Sequence, residues 1–318
     1  MEEIYIEPYS KDKKDLWNDL IDKGKNTHFM FNRNYMDYHS HRFIDRSLMF
    51  FKNRKLIAIL PANINLKEDK KWELVSHGGL TFGGMVCDTS VTTGQMIKIF
   101  NSIIKYCREN NISNIIYKPI PYIYNKIPSD EDLYALFRCG FKLIKRDLSS
   151  TIYLNEKLKL SKGRKYAVNK ALKNELQVER SFDFKEFMEL EYRVLKEKYN
   201  KEPVHTADEI KKLSLNFPEN IKLFICHKNK EILAGTIIYE NLNIAHTQYM
   251  AVSKQGEKCG ALDIIIYDLI NKYYKDKIYF DFGISTENNG LYLNEGLIRQ
   301  KEMFGGRAVA YDCYELTL

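Results

Sequence analysis

The strongest constraint on this chain is a layout that occurs twice. Residues 49–64 (MFFKNRKLIAILPANI) and 223–240 (LFICHKNKEILAGTIIYE) share one plan: an apolar strand, a Lys/Asn turn, then a second apolar strand with a small residue. Turn-formers between two apolar runs predict a β-hairpin in each. Helical spacing precedes the first hairpin over 13–23 and 34–41, and the second over 184–198 and 206–215. A strand (73–76; 243–251), an amphipathic helix (95–110; 262–274) and another strand (115–118; 278–282) follow in the same order. Asn53 matches Asn229 at an offset of 176, and Gly94 matches Gly260 at 166, a drift that small loop deletions produce. The pattern predicts an internal duplication. Two α/β (α+β) domains are expected, 1–155 and 156–318, each a mixed, mostly antiparallel sheet flanked by helices.

Composition narrows the function classes. A length of 318 residues suits two domains, and 44% hydrophobic residues can build two cores. The net charge of +7 and pI near 8.8 suit a phosphate-bearing ligand without requiring nucleic acid. The densest basic stretch is 157–173, KLKLSKGRKYAVNKALK, with seven Lys or Arg and no acid. It reads either as a solvated linker helix or as an electropositive wall for a diphosphate or an RNA. Six scattered cysteines form no CxxC pair. There is no HExxH, DxD, Gly-x-Ser-x-Gly elbow or P-loop, so metal and serine-hydrolase chemistry have no motif. The N-terminal stretch lacks an apolar signal core, and no run approaches the roughly 18 apolar residues of a membrane span. These features imply a reduced, soluble, cytoplasmic protein without a metal.

Two stretches carry chemistry. The first is 278–306, IYFDFGISTENNGLYLNEGLIRQKEMFGG. It opens as a strand around Asp281, breaks at Gly283, and continues through a polar loop. A helical segment then places Leu293, Leu297 and Lys301 at i, i+4 and i+8 and stops at Gly305-Gly306. The second is 254–261, KQGEKCGA, a loop between a strand and a helix. There Lys254, Gly256, Lys258, Gly260 and Ala261 can cradle an anion, because glycines let backbone N–H groups approach it closely. Strand alternation puts His246, Gln248 and Met250 on one face, with Thr247 and Tyr249 on the other.

The segments Asp281-Phe282-Gly283, Gly290-Leu291-Tyr292 and Lys301-Glu302-Met303-Phe304-Gly305-Gly306 resemble the C-terminal end of the Fem-type branch of the GNAT acyltransferase superfamily. The resemblance implies two tandem GNAT-like domains and an acceptor bound between them. In GNAT enzymes a loop placed like 254–261 holds the pyrophosphate of coenzyme A, although Gly256 and Gly260 are spaced more widely than that motif has them. The implied activity is N-acyl transfer from acyl-CoA, acetyl-CoA foremost, to an amine acceptor. The acceptor expected is a small-molecule or nucleotide-linked amine, an amino sugar or a cell-envelope or polysaccharide precursor. The alternatives are a Fem-type enzyme that uses aminoacyl-tRNA to modify peptidoglycan precursors, and a non-catalytic nucleotide-sugar binder.

A neutral amine must lose a proton on attack, so a carboxylate or imidazole is needed beside it. Asp281, Glu287 and His246 are the candidate bases. Lys301 is the candidate for charge stabilisation, and Tyr292 for protonating a leaving thiolate. By the GNAT likeness, backbone N–H groups of Tyr249, Ala251 and Val252 face the donor carbonyl. His77, Lys118, His205 and Gln248 are the candidate acceptor contacts.

Overall fold

The computed structural model describes residues 4–68, 70–228 and 231–318. The matched turn residue Asn229 lies outside them. Two compact units emerge. The first comprises Met1–Asp147, Glu287–Tyr292 and Ala310–Leu318; the second comprises Leu148–Thr286 and Leu293–Val309.

The first unit contains β1 (Ile4–Pro8), α1 (Lys14–Lys23), α2 (Arg33–Met36), β2 (Ile44–Asp45), β3 (Leu48–Lys52), β4 (Lys55–Leu60), β5 (Asn63–Leu66) and β6 (Trp72–Val75). It continues with β7 (Val86–Cys87), α3 (Thr93–Glu109), β8 (Ile112–Tyr117), α4 (Glu131–Arg138) and the start of β9 (Lys142–Tyr153). The β3–β4 turn uses Asn53 and Arg54 at φ 50 and 63, the left-handed backbone that a tight hairpin demands. Its helix α3 begins with a capping box between Thr92 and Gln95. Ile99, Phe100 and Ile103 of that helix pack on Leu48, Phe50 and Ala58 in the core.

The second unit takes over β9 from Leu148. It then contains α5 (Lys162–Lys173), β10 (Val178–Ser181), α6 (Phe184–Tyr199), α7 (Ala207–Asn216), β11 (Ile221–Lys228), β12 (Glu231–Glu240) and β13 (Ile244–Val252). Next come α8 (Lys254–Cys259), α9 (Ala261–Asp268) and β14 (Tyr279–Ile284), then the short pair β15 (Thr286–Glu287) and β16 (Tyr292–Leu293), α10 (Glu295–Glu302) and β17 (Arg307–Thr317), of which Glu287–Tyr292 and the part of β17 from Ala310 belong to the first unit. Thr206 and Glu209 form the capping box of α7 that their spacing predicts. Ile264, Ile265 and Leu269 pack on Phe224, Ala234, Ile238 and Phe280 in the core.

The units share a parallel strand pair, but the hairpin β3–β4 lies in a separate four-stranded sheet, β1-β3-β4-β7, whereas β11–β12 continues directly into β13 and β14. In each, a hairpin strand leads to a strand that pairs in parallel with the next: β6 with β8, and β13 with β14. That parallel neighbour is completed by an antiparallel strand from the other half of the sequence. In the first unit β17 pairs with β8 (Leu316↔Ile115, Thr317↔Asn114). In the second β9 pairs with β14 (Thr151↔Asp281, Ile152↔Phe280). The last residues of the chain therefore belong to the first unit, and the change of unit at 147/148 falls inside β9. A cut at 155/156 cannot express that exchange, because ladder partners are set by long-range pairing.

Three local expectations need correction. The 254–261 stretch is not an open loop: it forms the helix α8 (Lys254–Cys259), a left-handed Gly260 and the first residue of α9. The helix after Gly290 starts at Glu295, and Leu293 lies in β16. Its inward residues are Ile298 and Lys301, one turn apart, and Leu293 is exposed. Finally, His246 does not share the face of Met250. The β12–β13 register slips between Ile237↔Tyr249 and Ile238↔Thr247, leaving Gln248 without an opposite residue. This β-bulge shifts the alternation by one. Ala245 then joins Met250 and Val252 against the α9 core. His246 joins Tyr249 on the other sheet face, where Phe187 of α6 packs on Gly235.

Candidate active site

The bulge brings His246 of β13 beside Asp281 of β14, which is its parallel ladder partner. The His246 Nδ1 to Asp281 Oδ2 distance is 2.7 Å. Asp281 is wholly buried. Its Oδ1 accepts hydrogen bonds from Ser149 Oγ and Thr151 Oγ1 of β9, each at 2.6 Å. Burial alone pushes this carboxyl up, but the bonds and charge of His246, with the two hydroxyls, outweigh it and hold Asp281 below its ordinary value. An ionised Asp281 only accepts, so Nδ1 carries a proton, and in the neutral form of the ring the lone pair is on Nε2. The His246 side chain is 12% exposed, against none for Asp281.

The turn after Asp281 is shaped for this ring. Gly283 has φ +73, and a Cβ there would lie 3.3 Å from His246 Cε1. Its N–H donates to Asp281 Oδ2 at 3.3 Å. Lys301 sits beneath the turn, donating to the carbonyls of Gly283 (2.8 Å) and Ile284 (2.7 Å). Burial pushes its ammonium down to about 8, against the pull of the Asp281 carboxylate. Its two bonds to backbone make Lys301 a support for the turn rather than a solvated helix residue.

Beyond His246, β13 and β14 share no further ladder pairs among the described residues. Tyr249, Ala251 and Val252 keep β12 on one side only. Tyr249 is buried, and its hydroxyl lies 2.6 Å from His205 Nδ1 while accepting from the His205 backbone N–H at 3.2 Å. That pair ties the loop before α7 to the His246 face of β13.

The α8 region has a different character from a glycine phosphate cradle. Ser253 caps the helix, its Oγ accepting from Gly256 N at 3.0 Å. A Cβ on Gly256 would meet the Leu233 carbonyl at 2.3 Å, and one on Gly260 (φ +78) the Ala167 carbonyl at 2.4 Å. Both glycines are thus needed for backbone packing. Lys254 pairs with Glu197 at 3.1 Å, and Lys198 with Glu257 at 2.6 Å. Lys258 is exposed and Ala261 is buried.

The remaining candidates sit elsewhere. His77 and Lys118 belong to the first unit. His77 is buried against His39 and Phe43, and burial pushes its imidazole down to about 3. Lys118 donates to the carbonyls of His77 (2.8 Å) and Leu80 (2.6 Å). Glu287 and Tyr292 are exposed on the segment that belongs to the first unit. Sequence reasoning missed Ser149, Thr151 and the buried Glu191 of α6, whose carboxyl burial pushes up to about 8. Hydroxyl residues in a strand carry no signal until their ladder partner is known.

Among the described residues no helix is long and apolar enough to cross a membrane, and no group of three His, Cys, Asp or Glu is placed to hold a metal ion. No family model matches the chain, and no curated protein sequence matches it. Solved structures do. FemX aligns with a TM-score of 0.72 at 12% identity, covering 99% of this chain and 97% of its own. L-PGS from Bacillus licheniformis aligns at 0.62 and 14%, covering 97% and 92%. A tandem GNAT protein from the clavulanic acid biosynthesis pathway aligns at 0.50 and 9%, covering 99% and 98%. With a parallel strand pair completed by an antiparallel strand in each unit, and near-complete coverage of both chains in each alignment, this chain has a tandem GNAT-like fold of the kind seen in FemX.

Proposed function

We propose that this chain is an acyltransferase that moves an acyl group from an activated carbonyl donor to an amine, with His246 as the general base. The observation that carries this reading is the bond from His246 Nδ1 to Asp281, a wholly buried carboxylate anchored by Ser149 and Thr151. A base must be held in one tautomer with its free nitrogen accessible, and this arrangement meets that need. The amine nitrogen attacks the acyl carbon while its proton passes to His246 Nε2. The carbonyl electrons move to oxygen, then return as the C–S or C–O bond to the leaving group breaks. Backbone N–H groups along the bulged stretch of β13 are the oxyanion donors in this scheme. Asp281 acts as a positioning residue, and Lys301 positions it in turn through the Gly283 turn. Glu287 and Tyr292 take no proton-transfer role.

The donor we infer is an acyl thioester of coenzyme A, lying along the open side of Tyr249, Ala251 and Val252 towards α8. The acceptor class, an amine of a cell-envelope or polysaccharide precursor, rests on the Fem-type resemblance of 278–306. One observation favours an aminoacyl-tRNA donor as a second reading. Helix α5 exposes Lys162, Lys165, Lys170 and Lys173, whereas Lys254 and Lys198 near α8 are paired with glutamates. Turnover with acyl-CoA and with aminoacyl-tRNA, each followed for the wild type and His246→Gln, tests the scheme. The expected result is a loss of about 100-fold or more in the variant with the true donor. Equal rates in the two proteins would remove His246 from the chemistry.

A further inference from the structure

The positive charge of this chain is concentrated in one place. The chain has 49 Lys or Arg and 42 Asp or Glu, and setting aside the seven basic residues of 157–173 leaves 42 of each. The excess therefore belongs to α5 and the segment leading into it, all within the second unit. The nearest acids in sequence, Glu156 and Glu175, stand outside the two ends of this segment. Arg164 is turned inward, bonded to Asp263 at 2.7 Å and lying over the Phe304 ring at 4.5 Å. Val168 and Ala171 are buried in the same core as Ile264 and Ile265. The six lysines, Lys157, Lys159, Lys162, Lys165, Lys170 and Lys173, are all exposed, and none pairs with a carboxylate among the described residues. Elsewhere in the second unit exposed lysines do find acids, as Lys198 does with Glu257 and Lys272 with Asp268.

Lys162, Tyr166, Asn169 and Lys173 fall at i, i+4, i+7 and i+11 and form the outward stripe of α5, with Lys165 and Leu172 along one side of it. Three apolar side chains stand exposed among the lysines: Leu158 at 46%, Tyr166 at 70% and Leu172 at 53%. By charge alone this face suits an RNA backbone, the ground of the second donor reading above. The apolar side chains and the arginine decide otherwise. A leucine gains little against a sugar-phosphate backbone, but it leaves water at the headgroup boundary of a bilayer, where tyrosine also settles. Arginine grips a single phosphate with paired bonds, and this segment turns its arginine inward. Lysines answer the spread negative potential of an anionic bilayer, each raising binding about fivefold near the surface.

We infer that this face docks the second unit on a membrane surface rich in anionic phospholipid, through contact with the headgroups. Held there, the chain would meet an acceptor carried by a membrane lipid. That consequence rests on the acyl-transfer reading; the docking does not. Cosedimentation of the full-length protein with vesicles of equal parts phosphatidylglycerol and phosphatidylcholine, beside vesicles of phosphatidylcholine alone, tests it without turnover. The protein should sediment with the mixed vesicles only, and added salt should release it, because screening shortens the reach of the charges. Replacing Lys162, Lys165, Lys170 and Lys173 together by Gln should weaken partition about 100-fold or more. All four are exposed and glutamine is a comparable helix former, so the fold should be kept. Leu158→Ser combined with Leu172→Ser leaves the charge intact and should weaken partition about tenfold. A wild type that stays in the supernatant with the mixed vesicles overturns the inference, whether or not it binds an RNA homopolymer, and so does undiminished partition of the four-lysine variant. Neither outcome bears on acyl transfer, which stands or falls on the turnover of His246→Gln.

Discussion

One ladder row occurs in both units with different chemistry. In the second unit the row reads His246, Asp281, Thr151 across β13, β14 and β9. In the first it reads Glu73, Asn114, Thr317 across β6, β8 and β17. The central side chain bonds its parallel neighbour in each: His246 Nδ1 to Asp281 Oδ2 at 2.7 Å, and Asn114 Nδ2 to Glu73 Oε2 at 2.7 Å. Asn114 also donates to Glu315 at 2.8 Å. An amide cannot ionise, so it holds its neighbours without polarising them, and Glu73 is further neutralised by Lys67 at 3.4 Å. Beneath the difference lies a shared support. Lys118 and Lys301 each donate two bonds to backbone carbonyls, and burial pushes both down to about 8. The comparison teaches that both units keep the buried lysine bonded to backbone, while the ladder row differs, an imidazole–carboxylate pair in one and an amide–carboxylate pair in the other.

The sharpest way to break this comparison is to disable each row in turn. His246→Gln should lower kcat by about 100-fold or more with the fold intact, as read by steady-state kinetics and circular dichroism. Asp281→Asn should lower kcat at least about tenfold by loosening the imidazole tautomer, and should cost about 1–3 kcal/mol of stability in a denaturant titration. Acid should act on the wild type in the same direction. The folded Asp281 pKa is depressed, so its contribution is present above the ordinary carboxylate value and is lost as pH falls through the lower folded value. The Asp281→Asn protein should lack that part of the acid-induced loss.

The lysines test the scaffold half. Lys301→Met and Lys118→Met should each cost about 1–3 kcal/mol, because each removes two hydrogen bonds to backbone carbonyls from a buried position. Both amines release their protons more readily when folded, at about 8 against an ordinary 10.5. The unfolded chain therefore holds more protons between those values, so stability rises with pH across that window and these groups leave it unchanged below about 8. Each single variant should reduce the rise, and the double variant should remove most of it. An unaltered pH profile in the double variant would deny the lysines this role. The smallest effect is expected from Glu73→Gln, which keeps its shape: kcat should stay within about twofold. A large loss there would mean that the first unit's row also serves the reaction.

Much of this was legible in the sequence because it is local. The doubled hairpin plan, the Thr206–Glu209 capping box and the break at Gly283 are written in spacings of a few residues. Residue type and strand position singled out His246, and the Asp281-Phe282-Gly283 resemblance in 278–306 singled out Asp281, with Glu287 weighed beside them. The face of His246 was not legible, because a one-residue bulge resets strand alternation and is decided by pairing with β12. The same holds for Ser149 and Thr151, which became ligands of Asp281 only when β9 took its place beside β14. Lys301 reads as a candidate for charge stabilisation, and its bonds to the Gly283 and Ile284 carbonyls are visible only in the tertiary structure. Gly256 and Gly260 read as a phosphate loop until the Leu233 and Ala167 carbonyls are found against them. The sequence alone determined which elements form and which residues have reactive groups. Tertiary structure decided which of those groups meet, because ladder register and backbone contact are set between separate segments, 18 residues apart for Lys301 and Gly283, 35 for His246 and Asp281, and 132 for Ser149 and Asp281.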